Sequence, residues 1–501
     1  MSTNSRLPLR RLGRNEKYQS GLHYAGHYRS TVVTCRYILP PSLAQFDRHK
    51  DVVQRFDAAV SLAVVQFPLL QVGLVGESTN KPVWVSLASL DLNDHIKWDV
   101  QADSNDYDRL LEDNLRCQLD TKFDHLETQP GWRLLMMRTE TGNFVDVMFV
   151  WNHANCDGMS ARMFHRALLK SLNSPSSSTP LAPGSRVMST AISKNMFPQP
   201  QEKLAKHPLT LGFLCSEMWH GYGPSILLSS TAKANWAPVQ PKPYKTHIKC
   251  MDIDPVTLKR LIGLCRKHET TLTGLLHGIM LVCLSTQLPE GKANAFTSST
   301  PVDQRRFMRH ESRPSKHASL DPQNSVQNCV APVHHTFDCK IVSDIRAQAR
   351  ASKSLQPIHD LEPSIWEAAK TVRNDIEERL STGLTNNLVG LMKLVPDWHE
   401  FHKNQEKKSR GTSWTVTNIG VVDDHPDADA TKVREEDAWS VARTRFTLSA
   451  DVAGSAIQMS AVSVKGGDLS IEISWQDLIE INEVCDQLVP DLEAWLRHLG
   501  I

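Results

Sequence analysis

Apolar positions along the chain alternate between short β-prone runs and stretches at helical spacing, the order of an α/β protein. Tyr28 to Ile38 predicts a strand after a polar lead from Arg10. Asp51 to Val65 predicts an amphipathic helix, with Val52, Val53, Phe56, Val60, Ala63 and Val64 on one face, stopped ahead of Phe67-Pro68. Strands are expected at Val83 to Leu87 and His95 to Val100, and a short helix at Tyr107 to Cys117. Trp132 to Met137 then pairs across Thr139 to Asn143 with Phe144 to Trp151. That second run is apolar apart from Asp146, as in a strand buried on both faces. From Ser160 onward, Met163, Phe164, Ala167 and Leu168 take up helical spacing.

The second half repeats the alternation. Asp254-Pro255 supplies an N-cap and a first-turn proline for a helix from Val256 to Lys267. Thr270 or Thr271 caps another from Leu272 to Ser285, apolar nearly all round and therefore buried. Strands are predicted at Ala295 to Pro301, Val326 to Val333 and Ser413 to Val422, and a helix at Glu362 to Leu380. Ile457 to Val464 and Leu469 to Trp475 read as a hairpin through Lys465-Gly-Gly-Asp468. The carboxyl end reads as helix from Leu478 to Leu499, broken at Pro490. Asn173 to Ser185 is rich in Ser and Pro, and Val187 to Tyr244 is proline-punctuated around one apolar helix near Leu209 to Trp219. The chain accordingly divides into 1–185, a connector 186–245, and 246–501.

Composition narrows the function classes. With 501 residues, 40% hydrophobic and 22% charged, the chain can build more than one core. Lys plus Arg number 56 against 55 acidic residues, a balance that argues against nucleic acid as partner. The opening MSTNSRLPLRRLGRNEK lacks the apolar core of a signal peptide, and the longest apolar stretch, Leu272 to Leu284, is too short to span a bilayer. Ten cysteines without a CxxC pair point to reduced thiols in the cytoplasm.

The chemistry concentrates where the Phe144–Trp151 strand meets the following helix: His153-Ala-Asn-Cys-Asp157-Gly158. A tight strand-to-helix turn is where a rigid scaffold presents reactive groups. The plainer alternatives are a hydrogen-bonded histidine at a strand end and an aspartate that caps the helix. A metal site on His153, Cys156 and Asp157 lacks further ligands at a recognisable spacing.

Several segments resemble, in order, the acyltransferase superfamily that carries an HxxxD motif, and within it the fungal alcohol acetyltransferase branch. They are Arg11-Leu12-Gly13 with Glu16, Phe67-Pro68-Leu69, Trp132-Arg133-Leu134, His153 to Ser160, Pro301 to Arg305, Thr417-Asn418-Ile419-Gly420 and Gly467-Asp-Leu-Ser-Ile471. The DFGWG motif of the plant branch is missing. The resemblance implies two pseudo-symmetric lobes like those of chloramphenicol acetyltransferase, each a mixed sheet with flanking helices, and a channel between them. It implies a monomeric O-acyltransferase that moves an acyl group, acetyl first, from acyl-CoA as co-substrate to a small alcohol, without a permanently bound cofactor or metal. A carrier-protein-bound donor, as in a condensation domain, and an inactive binding protein on the same fold are the rival readings.

On this reading His153 is the general base, since histidine alone has an unperturbed pKa near neutrality. Asp157 is implied to be structural and to pair with Arg305, and Gly158 to let the backbone turn beside the substrate. Thr415, Thr417 and Asn418 are candidates for the oxyanion. Lys403, Lys407, Lys408 and Arg410 are the basic residues offered to the phosphates of coenzyme A. The segments expected to line the channel, Trp151 to Ser160, Ala295 to Val302 and Ser413 to Val422, are made mostly of apolar residues, small polar residues and tryptophans, and so favour a neutral alcohol with an apolar body.

Overall fold

The computed structural model describes residues 7–102, 106–174, 179–190, 192–222, 232–309, 321–351, 358–422 and 437–500. Two mixed β-sheets with flanking helices carry the chain. In the first, β1 (Thr31–Ile38), β2 (Ile96–Gln101), β3 (Trp132–Thr139) and β4 (Phe144–Trp151) lie in the order β1-β4-β3-β2. The β3–β4 hairpin pairs Trp132 with Trp151 and Met136 with Val147. The second sheet holds β5 (Thr246–Ile253), β6 (Phe296–Asp303), β7 (Val330–Phe337), β8 (Trp414–Val422), β10 (Ile457–Val464) and β11 (Leu469–Gln476), ordered β5-β11-β10-β8-β6-β7. Between β8 and β10 in sequence, β9 (Ser440–Leu448) crosses over and pairs antiparallel with β1 at the edge of the first sheet. The segment 246–501 therefore contributes to both sheets, and this strand is absent from the hydrophobic reading above. Its charged positions Arg443 and Arg445 mask the alternation and bond to Asp252 or lie against Glu472.

Helices cover the sheets where their apolar faces are widest. The helix α2 (His49–Gln66) buries Val52, Phe56, Val60 and Val64 on the first sheet, beside the helix α3 (Gly158–Leu172) that follows the histidine turn. In the second lobe α4 (Leu272–Gln287) is capped by the Thr271 hydroxyl and buried from Gly274 to Ser285, as its all-round apolarity requires. Asp146, the one polar residue of β4, is buried and neutralised by the Arg36 guanidinium and the Tyr107 hydroxyl, at 2.7 and 2.9 Å.

Two helices depart from the sequence reading. The carboxyl-terminal helix runs unbroken from Ile479 to Gly500 through Pro490. An interior proline costs about 3 kcal/mol, and burial of Leu488, Leu492, Trp495 and Leu496 on both sides of it offsets that cost. At the other end, Arg14–Ala25 forms a helix, here α1, where only a polar lead was expected. Its buried residues include Asn15, Glu16, Ser20 and His23, so no apolar stripe betrays it. It packs on the helix Trp398–Gln405 of the other lobe, with the Tyr18 and Trp398 rings 5.2 Å apart. Among the described residues no helix is long and apolar enough to cross a membrane.

Candidate active site

The turn after β4 is built by short-range bonds. The Asn152 side chain accepts from the Ala154 amide at 2.9 Å, and the Trp151 indole donates to the Cys156 carbonyl at 3.0 Å. His153 is thereby held at the strand end, half-buried, with the Tyr28 ring set edge-on at 5.8 Å. Burial lowers its pKa, against the raising effects of its own carbonyl and of the Asp157 charge, so the imidazole is neutral at pH 7. Its Nδ1 lies 2.9 Å from Asn328 Nδ2, which also donates to the His153 carbonyl at 2.7 Å. Its Nε2 makes no hydrogen bond among the described residues.

Asp157 does two jobs. Its Oδ1 accepts from the Ser160 amide at 2.8 Å and so caps α3. Both oxygens also meet the Arg305 guanidinium from the other lobe, at 2.8 and 3.0 Å, in a forked pair. Asp157 and Arg305 are 0% and 1% exposed. Burial would raise the Asp157 pKa, but the Arg305 charge and the bonds from Arg305, Cys329 and Ser160 hold it below the usual carboxylate range. Arg305 further donates to the Ser325 and Gln327 carbonyls, and Cys329 N donates to Asp157 Oδ2 at 2.9 Å. The ion pair thus ties the histidine turn to the loop 325–329. That loop was read as the start of a strand, yet β7 begins only at Val330. Its Asn328 is the residue that touches His153.

Asn328 is in turn held by Asn15 of α1, whose Nδ2 donates to Asn328 Oδ1 at 2.7 Å and to the Val330 carbonyl at 3.2 Å. Neither asparagine was visible from spacing, because the partners lie 313 residues apart. The QNCV stretch, polar inside a β-prone run, was the available signal. The amide also governs the histidine tautomer. The His153 carbonyl on one side and the Asn15 donor on the other fix Nδ2 toward the ring, so Nδ1 accepts and the ring proton sits on Nε2.

The remaining candidates separate. Gly158 is not in the left-handed region; it begins α3, and a Cβ there would meet Ile419 Cγ2 at 2.6 Å and Phe446 at 3.1 Å. Close approach to β8 and β9, rather than a tight backbone turn, explains the glycine. The Thr415 hydroxyl is committed to Ser299 at 2.9 Å, and the Asn418 amide to Gly420 N and Thr273. The Thr417 hydroxyl, half-buried on the same strand, has no hydrogen bond among the described residues. Arg410 is buried and donates to the Asp451 and Pro238 carbonyls and to Gln476, so it is not offered to a phosphate. Lys403, Lys407 and Lys408 are exposed. A metal on His153, Cys156 and Asp157 is ruled out by the Arg305 pairing and by burial that pushes the Cys156 thiol well up.

A family model described as alcohol acetyltransferase matches residues 111–493. The probable alcohol acetyltransferase FCK4 of Fusarium pseudograminearum is 25% identical over 98% of this chain and 95% of its own length. The probable alcohol acetyltransferase crmB of Aspergillus fumigatus is 24% identical over 93% of this chain and 94% of its own length. Among solved structures, the TRI3 trichothecene 15-O-acetyltransferase from Fusarium sporotrichioides covers 97% of this chain and 94% of its own at a TM-score of 0.67 and 14% identity. The condensation domain of the monacolin K polyketide synthase MokA covers 99% and 98% at 0.55 and 12% identity. Those two structures speak for the shared two-sheet fold. The family match spans the β3–β4 hairpin, the histidine turn, the Arg305 segment and β8, and on that match the chain belongs to the alcohol acetyltransferase family.

Proposed function

We propose that the protein transfers an acyl group, acetyl first, from acyl-CoA to the hydroxyl of a neutral, largely apolar alcohol. The observation that carries the reading is His153: a neutral imidazole held by Asn328 on its Nδ1 side, with Nε2 unengaged. Nε2 takes the alcohol proton, as the oxygen attacks the thioester carbonyl carbon, once the ring proton sits on Nδ1, which requires the Asn328 N–H to leave that nitrogen. The C–S bond then breaks, and the imidazolium returns the proton to the departing thiolate, leaving ester and free thiol. No enzyme-bound acyl group is needed. Of the three oxyanion candidates, Thr417 keeps a free hydroxyl for the tetrahedral oxygen. A channel between the two lobes would bring donor and acceptor to the histidine from opposite ends.

The test is thiol release from acetyl-CoA across a panel of neutral alcohols, amines, amino acids and sugar phosphates. Neutral alcohols should give the highest kcat/KM, and His153→Ala should lower kcat by about 10²- to 10⁴-fold with the fold retained. A folded His153→Ala with near-normal turnover would remove the base assignment. Charged acceptors ranking above every neutral alcohol would remove the acceptor class. Faster turnover on an acyl-carrier protein than on acetyl-CoA would favour the condensation-type donor.

A further inference from the structure

Three buried polar nitrogens without a partner lie where α2 begins over the first sheet. Arg138 on β3 is 0% exposed. Its Nε donates to the Thr139 carbonyl at 3.4 Å, and its Nη2 to the Ala44 and Gly142 carbonyls at 3.3 and 3.4 Å. Its Nη1 is shut from solvent and has no hydrogen bond among the described residues. The same holds for Trp98 Nε1 on β2 and for Nδ1 of His49, the first residue of α2. Burial lowers the Arg138 pKa, and among the described residues no carboxylate pairs with it. Asp51, in the first turn of α2, is spent on Arg48 at 2.8 Å.

Strand register and ring packing bring the three together. Trp98 pairs with Met136 and Val100 with Arg138, so Trp98 and Arg138 are diagonal neighbours on one face of the sheet. The His49 ring stands edge-on to Trp98 at 5.2 Å and stacks on Phe46 at 5.5 Å. The Arg138 guanidinium lies 5.4 Å from the centre of that same Phe46 ring. Phe46 is 37% exposed and opens the three-residue turn Phe46–Arg48, so it covers the cluster as a small lid. A guanidinium or indole N–H buried without an acceptor has lost its hydration and gained nothing, which folded proteins rarely leave uncorrected. Such groups about one uncompensated cation are what an anion satisfies.

We propose that this cluster binds the carboxylate of a small molecule, with Arg138 Nη1 and Trp98 Nε1 as donors and His49 Nδ1 beside them. The single positive charge matches a monoanion, whereas a dianion would bury a surplus charge. Arg138 precedes the β3–β4 turn and His153 follows the other end of β4, a strand about 23 Å long at 3.3 Å per residue. The site is therefore separate from the histidine turn. Formate and acetate are titrated into the full chain at constant ionic strength, with sulfate for comparison. Calorimetry gives Kd, and the tryptophan indole N–H resonances report the contact. The indole resonance that Trp98→Phe removes should move saturably in wild type with formate or acetate. Kd should rise about tenfold in Arg138→Met and in Trp98→Phe, each of which deletes a bond to a charged group. Trp98→Phe keeps the aromatic ring, so it tests the N–H even where Arg138→Met fails to fold. An unmoved resonance and no heat with either carboxylate would overturn the proposal. So would an equal response in wild type and both variants, which marks a general salt effect. Sulfate bound more tightly than both carboxylates would overturn the ligand class.

Discussion

Replacing Asn328 probes the site most directly, because it alters the histidine without touching it. In Asn328→Ala two bonds to His153 are lost, at 2.7 and 2.9 Å, and the buried Asn15 amide loses the nearer of its two acceptors, at 2.7 Å. At roughly 0.5–1.5 kcal/mol net per bond, the fold should lose about 2–4 kcal/mol, the upper end including the Asn15 bond. The freed ring should spend less time in the productive orientation, lowering kcat by about 10- to 100-fold, or roughly 1.4–2.8 kcal/mol of barrier. Asn328→Asp separates orientation from stability. It offers only oxygens to Nδ1, fixes Nδ1–H, and raises the His153 pKa through its charge. The acid limb of the kcat/KM profile should then move to higher pH, with kcat at its plateau above that of Asn328→Ala. The assay is the pH dependence of thiol release for both variants, alongside thermal midpoints. An Asn328→Ala protein that melts normally and turns over within twofold of wild type, with an unmoved acid limb, would refute the positioning role.

Arg305→Met leaves Asp157 charged and buried without its partner, so stability should fall by about 3–5 kcal/mol, as read from denaturant midpoints. Because the same guanidinium fixes the loop 325–329, kcat should fall too, and Asp157→Asn with Arg305→Met together should cost less than the sum of the two. Acid should unfold the protein early: burial pushes His165 and His402 down to about 4 and His277 well below its ordinary value. These groups have lowered folded pKa values, so the unfolded chain takes up protons first; stability is complete above about 6.5 and is lost toward pH 4, at roughly 1.4 kcal/mol per pH unit for each group. His277 is buried, and its Nδ1 already accepts from the Trp414 indole, which an added proton would oppose; urea midpoints that stay flat from pH 7 to 5 would contradict this.

The sequence by itself determined the elements whose apolar residues face one neighbour. The β3–β4 hairpin, α2, α3, α4 and the β10–β11 hairpin follow from side-chain periodicity, since burial of one face fixes both type and register. The histidine turn was legible too, because a strand end, a histidine, an aspartate and a glycine fall within eight residues. Only the tertiary structure decided what completes it. Asp157 finds Arg305 across 148 residues, and His153 meets Asn328 across 175, contacts that no local spacing encodes. α1 escaped notice because the face it buries is polar, satisfied by hydrogen bonds rather than by apolar contact. The strand β9 escaped because its arginines obscure its alternation, and its sheet is chosen by a crossover to β1. Pro490 stays helical because packing on either side outweighs a local penalty. Local pattern thus sets the scaffold, while the groups that orient the histidine are brought together by long-range polar pairing, which carries no period to read.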